Sequence, residues 1–226
     1  MDNQLRTHTV SSFDKELKSI STFIEAMGDL VTGSINTFIA NLSNQTGETA
    51  LKVREIDDKV NELEKQVQML STNLIALRNP LAVDLRYLIG AIKISTIIER
   101  QGDMVESAVR KVLRVNINDL GSYKKDLTEL ASTDIEMMKI AISGFKNQDL
   151  MEANKVWRIE DKVDDMADKL FEKLKADIKK NPDNVDDYVS LMLVTRSLER
   201  FADYCTNITK AVHYIASGER VSEADF

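Results

Sequence analysis

Residues 53–78 read VREIDDKVNELEKQVQMLSTNLIALR. Apolar side chains fall at Val53, Ile56, Val60, Leu63, Val67, Leu70, Leu74 and Leu77, in alternating steps of three and four. That spacing puts them on one face of an α-helix, as a heptad seam four repeats long. Asn79-Pro80 ends this helix and starts the next, because asparagine serves as a cap and proline suits the first helical position. Upstream, Phe13, Leu17, Ile20, Ile24, Met27, Val31, Ile35 and Phe38 describe an earlier amphipathic helix, which stops near Asn44-Gln45-Thr46-Gly47.

The second half repeats this plan. A shift of 103 residues lays LSNQTGETALKVREIDDKVN (42–61) over FKNQDLMEANKVWRIEDKVD (145–164), with nine of twenty positions identical. The seam residues Val53, Ile56, Val60 and Leu63 fall on Val156, Ile159, Val163 and Met166. The only prolines, Pro80 and Pro182, each follow an asparagine. A shift of 100 lays Glu99-Arg100-Gln101-Gly102-Asp103 over Glu199-Arg200-Phe201-Ala202-Asp203. We read an all-α chain of six helices, near 4–44, 47–78, 80–116, 122–147, 149–181 and 183–217, forming two tandem three-helix bundles. Short connections make neighbouring helices antiparallel. The repeats span 1–117 and 118–217, and 218–226 is a frayed tail.

Composition agrees. Eight glycines and two prolines in 226 residues fall far below the average share of roughly 12%, which rules out a sandwich or barrel. Net charge is −7, and a negative field repels phosphate backbones, so nucleic acid is excluded as a general partner. A single cysteine excludes an intramolecular disulfide framework. Met1-Asp2-Asn3-Gln4 leads into no apolar run, so no secretory signal is expected and the cytoplasm is the expected compartment.

Four polar pairs recur at a spacing of four: Asp57 with Asn61, Glu99 with Asp103, Glu160 with Asp164, and Glu199 with Asp203. That spacing puts both side chains on one helix face, where like charges repel. A hard cation relieves the repulsion, since such ions prefer oxygen ligands. The plainer reading is a solvated acidic face, for Asp58 with Glu62 and Asp161 with Asp165 share the spacing. Recurrence in both halves favours the cation. In each unit, the pair on the second helix can meet the pair on the antiparallel third. Arg100 and Arg200 also recur, and read as guanidinium groups neutralising acids on a neighbouring helix. Arg78 and Arg86 flank the Pro80 helix start, where an anion can be held.

No Glu-x-x-His pair suits a ferritin-like di-iron site, because the only histidines, His8 and His213, follow Leu5 and Lys210 by three. There is no nucleophile elbow and no Gly-rich phosphate loop. Cys205 and Trp157 read as packing residues. Three functions compete: a non-enzymatic regulator with metal sites, a metal-dependent hydrolase or oxidase using the acids, and a purely structural scaffold.

The chain resembles the PhoU family of bacterial phosphate-transport regulators. The resemblance rests on the Phe13-Asp14-x-Glu16-Leu17 helix, on Arg78-Asn79-Pro80-Leu81-Ala82-Val83-Asp84-Leu85-Arg86, and on both Glu-Arg-x-Gly/Ala-Asp segments. It implies two three-helix bundles related by a pseudo-twofold, with a metal cluster on each. Carried over, the first cluster uses Asp57, Asn61, Glu99 and Asp103. The second uses Glu160, Asp164, Glu199 and Asp203, joined by Asn207, where the first half has Ser107. The first site is thus expected to bind the weaker, since Asn61 is neutral where Asp164 is charged. Ala202, in place of the usual glycine, is expected to change little. Magnesium, manganese, iron or zinc are the ions implied. The family's role is a cytoplasmic regulator linking the high-affinity phosphate importer, through its ATPase subunit, to the sensor histidine kinase. It lowers kinase output when phosphate is plentiful, sits peripheral to membrane complexes, and self-associates as a homodimer.

Overall fold

A computed structural model describes residues 2–42, 46–115 and 120–222, with side chains from Ser12 onward apart from Ser122. The proposed repeat boundary at 117/118, part of the Asn44–Gly47 turn and the end of the tail lie outside these residues. Six long helices carry the chain: α1 (Asp2–Asn41), α2 (Gly47–Arg78), α3 (Ala82–Val112), α4 (Gly121–Asn147), α6 (Lys155–Lys180) and α7 (Val185–Ser217). A single turn, α5 (Leu150–Ala153), precedes α6, and a 3-10 turn (Pro182–Asn184) precedes α7. Among the described residues there is no strand, and no helix is long and apolar enough to cross a membrane.

The helices pack as two bundles, α1–α3 and α4 with α6 and α7. Arg78 at the end of α2 pairs with Glu16 near the start of α1 at 3.3 Å, so those two helices run antiparallel. Gln68 bonds Thr96 across α2 and α3, and Lys173 pairs with Asp126 across α6 and α4 at 2.5 Å, with the same consequence. The bundles join along α3 and α7. Lys111 meets Ser197 near one end of that contact, and Arg86 reaches the Ile215 carbonyl oxygen near the other, at 3.1 Å. Gly90 allows the close approach, since a Cβ there would lie 2.5 Å from Ile215.

The α1 seam is buried as its spacing demands, from Ile20 through Phe38. The α2 seam is only half right. Val53, Val60, Val67 and Leu74 are buried, whereas Ile56, Leu63 and Leu70 are half-buried and Leu77 is exposed. Asp57 and Ser71 take the vacated side of the stripe. The fully buried residues still recur every seven positions, with Asp57 and Ser71 beside them, so the buried face is turned within the heptad, away from the Ile56–Leu77 row and toward the Asp57 side.

The turns also differ in detail. Asn79 ends α2 in the left-handed conformation (φ 48°), its N–H bonding the Ile75 carbonyl. It therefore closes one helix and does not cap the next, whose N-cap is Leu81. Pro182 does sit at the first position of the turn it opens. Asp149 caps α5, accepting from the N–H groups of Met151 and Glu152, as N-cap carboxylates do.

Candidate metal centre

Because α2 and α3 are antiparallel, the acids predicted on each come face to face. Oxygen atoms of Asp57, Asp103 and Glu106 lie within 4.8 Å of one another. Asp57 lies in the buried stripe of α2 and is only 8% exposed. Its Oδ2 accepts from Asn61 Nδ2 at 3.3 Å, while its Oδ1 and Asn61 Oδ1 are buried with no hydrogen-bond partner. Gly102 makes the room: a Cβ there would lie 2.7 Å from Asp57 Oδ1. This glycine has a packing reason that helix propensity alone does not reveal.

Electrostatics follow the geometry. Burial first, then the charges of Asp103 and Glu106, push the Asp57 carboxyl from 3.8 up to about 6, against the bond from Asn61. Burial, then Asp103, Glu64 and Asp57, also raise Glu99, with the Arg100 charge opposing. Glu99 thus feels the cluster without joining its tight group. Glu64 is held by Thr96 at 2.8 Å and Gln68 at 2.7 Å. Glu106 is the residue that the sequence reading missed. Its spacing of three from Asp103 puts both on one face of α3, and that was the available signal. Among the described residues it pairs with Arg110, at 3.7 Å.

The second face is more open. Glu160 is half-buried and Asp164 exposed on α6, and Glu199, Asp203 and Asn207 are half-buried on α7. Asp164 is raised by burial first, then by Asp203 and Glu199, so acids of the two helices are within reach of each other. Glu199 bonds Arg196, and its Oε2 is buried without a partner. Among the described residues no three acids of this half come as close as the first group. Glu160 and Asp164 border a cleft of about 540 Å³ that Trp157 and Arg158 also line.

Other singled-out residues have structural employment. Cys205 is fully buried. Trp157 packs with the Lys210 ammonium 5.0 Å from its ring centroid. Arg78 and Arg86 are engaged with Glu16 and with the Ile215 carbonyl, which leaves the Pro80 turn without the anion-holding pair. His213 bonds Asn154 at 2.6 Å, and burial lowers its pKa. Arg100 and Arg200 are exposed; it is Arg196, on the same helix, that holds Glu199.

The first cluster suits a hard cation. Every donor is oxygen, two of the buried oxygens lack partners, and the carboxylates are crowded enough to repel. Ions such as Mg²⁺, Mn²⁺ or ferric iron favour that environment over nitrogen or sulfur sites.

Fold and site together define a duplicated all-helical protein with an acidic face on each bundle. A family profile described as PhoU domain matches residues 24–112 and again 127–212, and the chain belongs to the PhoU family. It is 30% identical over 220 residues to the phosphate-specific transport system accessory protein PhoU of Edwardsiella tarda, covering 97% of this chain and 90% of that protein. It is 28% identical over 216 residues to the PhoU homolog of Caulobacter vibrioides, covering 95% and 94%. The crystal structure of PhoU from Pseudomonas aeruginosa superposes with a TM-score of 0.86 at 26% identity, covering 92% of this chain and all of that one. A regulatory PhoU from Streptococcus pneumoniae shares the fold, with a TM-score of 0.85 at 23% identity.

Proposed function

We propose that this chain is a non-enzymatic, cytoplasmic regulator of phosphate homeostasis. In this reading it couples a high-affinity phosphate importer, through its ATPase subunit, to a phosphate-sensing histidine kinase, and represses starvation signalling when phosphate is plentiful. The observation that carries the proposal is whole-length similarity to proteins named as accessories of the phosphate-specific transport system. Rigid paired bundles with acidic faces suit docking better than turnover. A homodimer is part of the proposal.

Each repeat, 1–117 and 118–217, carries one cation site. The first is held by Asp57, Asn61, Glu99 and Asp103, the second by Glu160, Asp164, Glu199, Asp203 and Asn207. A bound cation supplies positive charge that ties the second helix of a bundle to the third. The expectation that the first site is the weaker rested on Asn61 in place of Asp164 and on Ser107 in place of Asn207; Glu106, close to Asp57 and Asp103, is a carboxylate that this comparison left out.

Deleting the gene tests the regulatory role. Phosphate-starvation genes switched on in rich phosphate are the expected result, and normal repression would contradict it. Elemental analysis after purification without chelator tests the sites. Metal lost in a Glu199→Ala, Asp203→Ala variant supports the second, and metal never above background removes both.

A further inference from the structure

We infer that Glu106 is a ligand of the first cation site, filling the place that Asn207 fills in the second, and that it makes the first site the tighter one for a hard divalent cation. The inference rests on the reading of these faces as cation sites, and goes beyond it in the residue assigned and in the order of affinities.

Three observations lead there. By the repeat, Ser107 is the counterpart of Asn207. Ser107 Oγ accepts a bond from the Lys111 ammonium at 2.9 Å, so that position already faces a positive charge and is closed to a second cation. One residue earlier, Glu106 brings a carboxylate oxygen within 4.8 Å of Asp57 and Asp103. Finally, Asp57 is more than nine-tenths buried, and its Oδ1 has no hydrogen-bond partner. A buried, unpartnered carboxylate oxygen beside two further carboxylates is a donor that a hard cation can take.

Compactness then decides the order. Affinity at an oxygen site rises with the number of charged ligands and with rigidity. With Glu106 each site counts four carboxylates, but three of the first lie within 4.8 Å of one another, and one of those is fixed in the core. The second spreads its acids over a more open face. Arg110, 3.7 Å from Glu106, is the resident counter-charge that an arriving cation displaces.

Titration of the metal-free full-length protein with Mn²⁺, followed by calorimetry and by the electron paramagnetic resonance of free Mn²⁺, tests this. Two classes of site are expected. Glu106→Gln should weaken the tighter class by about tenfold or more. Ser107→Ala should leave it unchanged, Arg110→Gln should tighten it, and Asp203→Asn should affect only the weaker class. Helical circular dichroism and the urea midpoint of Glu106→Gln check that its fold is intact. If Asp57→Asn and Asp103→Asn abolish the tighter class while Glu106→Gln leaves it untouched, Glu106 is no ligand, although the site reading survives. If the tighter class responds to Asp203→Asn instead, the order of affinities is overturned. If Mn²⁺ binds nowhere above background, both the inference and the site reading fall.

Discussion

Gln101 Nε2 donates to the carbonyl oxygen of Phe201 at 3.0 Å, and these two residues hold matching positions in the duplicated Glu-Arg-x-Gly/Ala-Asp segments. In an antiparallel pair related by a twofold, a position meets its own counterpart only at the axis. The contact therefore marks where the pseudo-twofold crosses the α3–α7 interface. The same amide nitrogen reaches Cys205 Sγ at 3.2 Å. Gln101→Ala removes both bonds and leaves a void in a fully buried place, so a loss of about 1–3 kcal/mol is expected. Chemical denaturation of the chelated protein measures it. An unchanged midpoint would mean that the interface tolerates the void by collapsing.

Asp134 is an anomaly in the seam of α4. Shifted by 103 residues it stands where α1 has Val31, and Val31 is fully buried. Asp134 is 0% exposed, with both carboxylate oxygens lacking a partner. Burial drives its carboxyl well above the usual range, and its charge contributes, after burial, to raising the Cys205 thiol. An unpartnered buried polar group costs about 1–3 kcal/mol. Asp134→Val should therefore raise the melting temperature, with Asp134→Asn gaining less. A fall in melting temperature for the valine variant would show the carboxyl to be well satisfied.

The fold was legible because periodicity and breakers speak directly to helices. The α1 seam, the two Asn-Pro turns and the repeat register are all local signals. The candidate site was legible only in part. Asp57 and Asp103 each recur at the right spacing, and their meeting followed from antiparallel packing. Glu106 has no counterpart acid in the second half, where Thr206 stands, so an argument from recurrence passed over it. Leu77 misled in the opposite sense: seven-residue spacing counts it as core, yet the buried face is turned away from its row and leaves it in solvent. The roles of Gly102 and Arg86 depend on what lies across a helix interface, which spacing along one chain does not encode.

Gly102 and Asp57 form a matched pair, and their counterparts are Ala202 and Glu160. A Cβ at 102 would come 2.7 Å from Asp57 Oδ1. Gly102→Ala should thus expel the Asp57 carboxylate and weaken Mn²⁺ binding at the first site by about tenfold, even though alanine improves helix propensity by about 1 kcal/mol. The second half combines the alanine with a longer acid. Adding Asp57→Glu to Gly102→Ala should accordingly recover part of the lost affinity. A double variant no better than the single one would sever this pairing.

The pH dependence of stability offers a check that needs no cation. Asp57 titrates near 6 in the folded protein and near 3.8 when unperturbed. Between those values the folded state holds more protons on this group than the unfolded state, so its contribution to stability falls as pH rises. Below about 3.8 the group is protonated in both states and costs nothing; above about 6 the full cost of ionising it beside Asp103 and Glu106 is present. Asparagine cannot ionise. In chelator, Asp57→Asn should match the parent near pH 4 and exceed it in stability at pH 7.5. Urea midpoints at pH 4.5, 6 and 7.5 follow the gap, which should widen across that range. Saturating Mn²⁺ should reverse the order at pH 7.5, because a cation that binds the ionised carboxylate stabilises only the parent. A gap that is constant with pH would show that Asp57 carries no ionisation penalty in the fold, and would remove the electrostatic reason for a cation at this face.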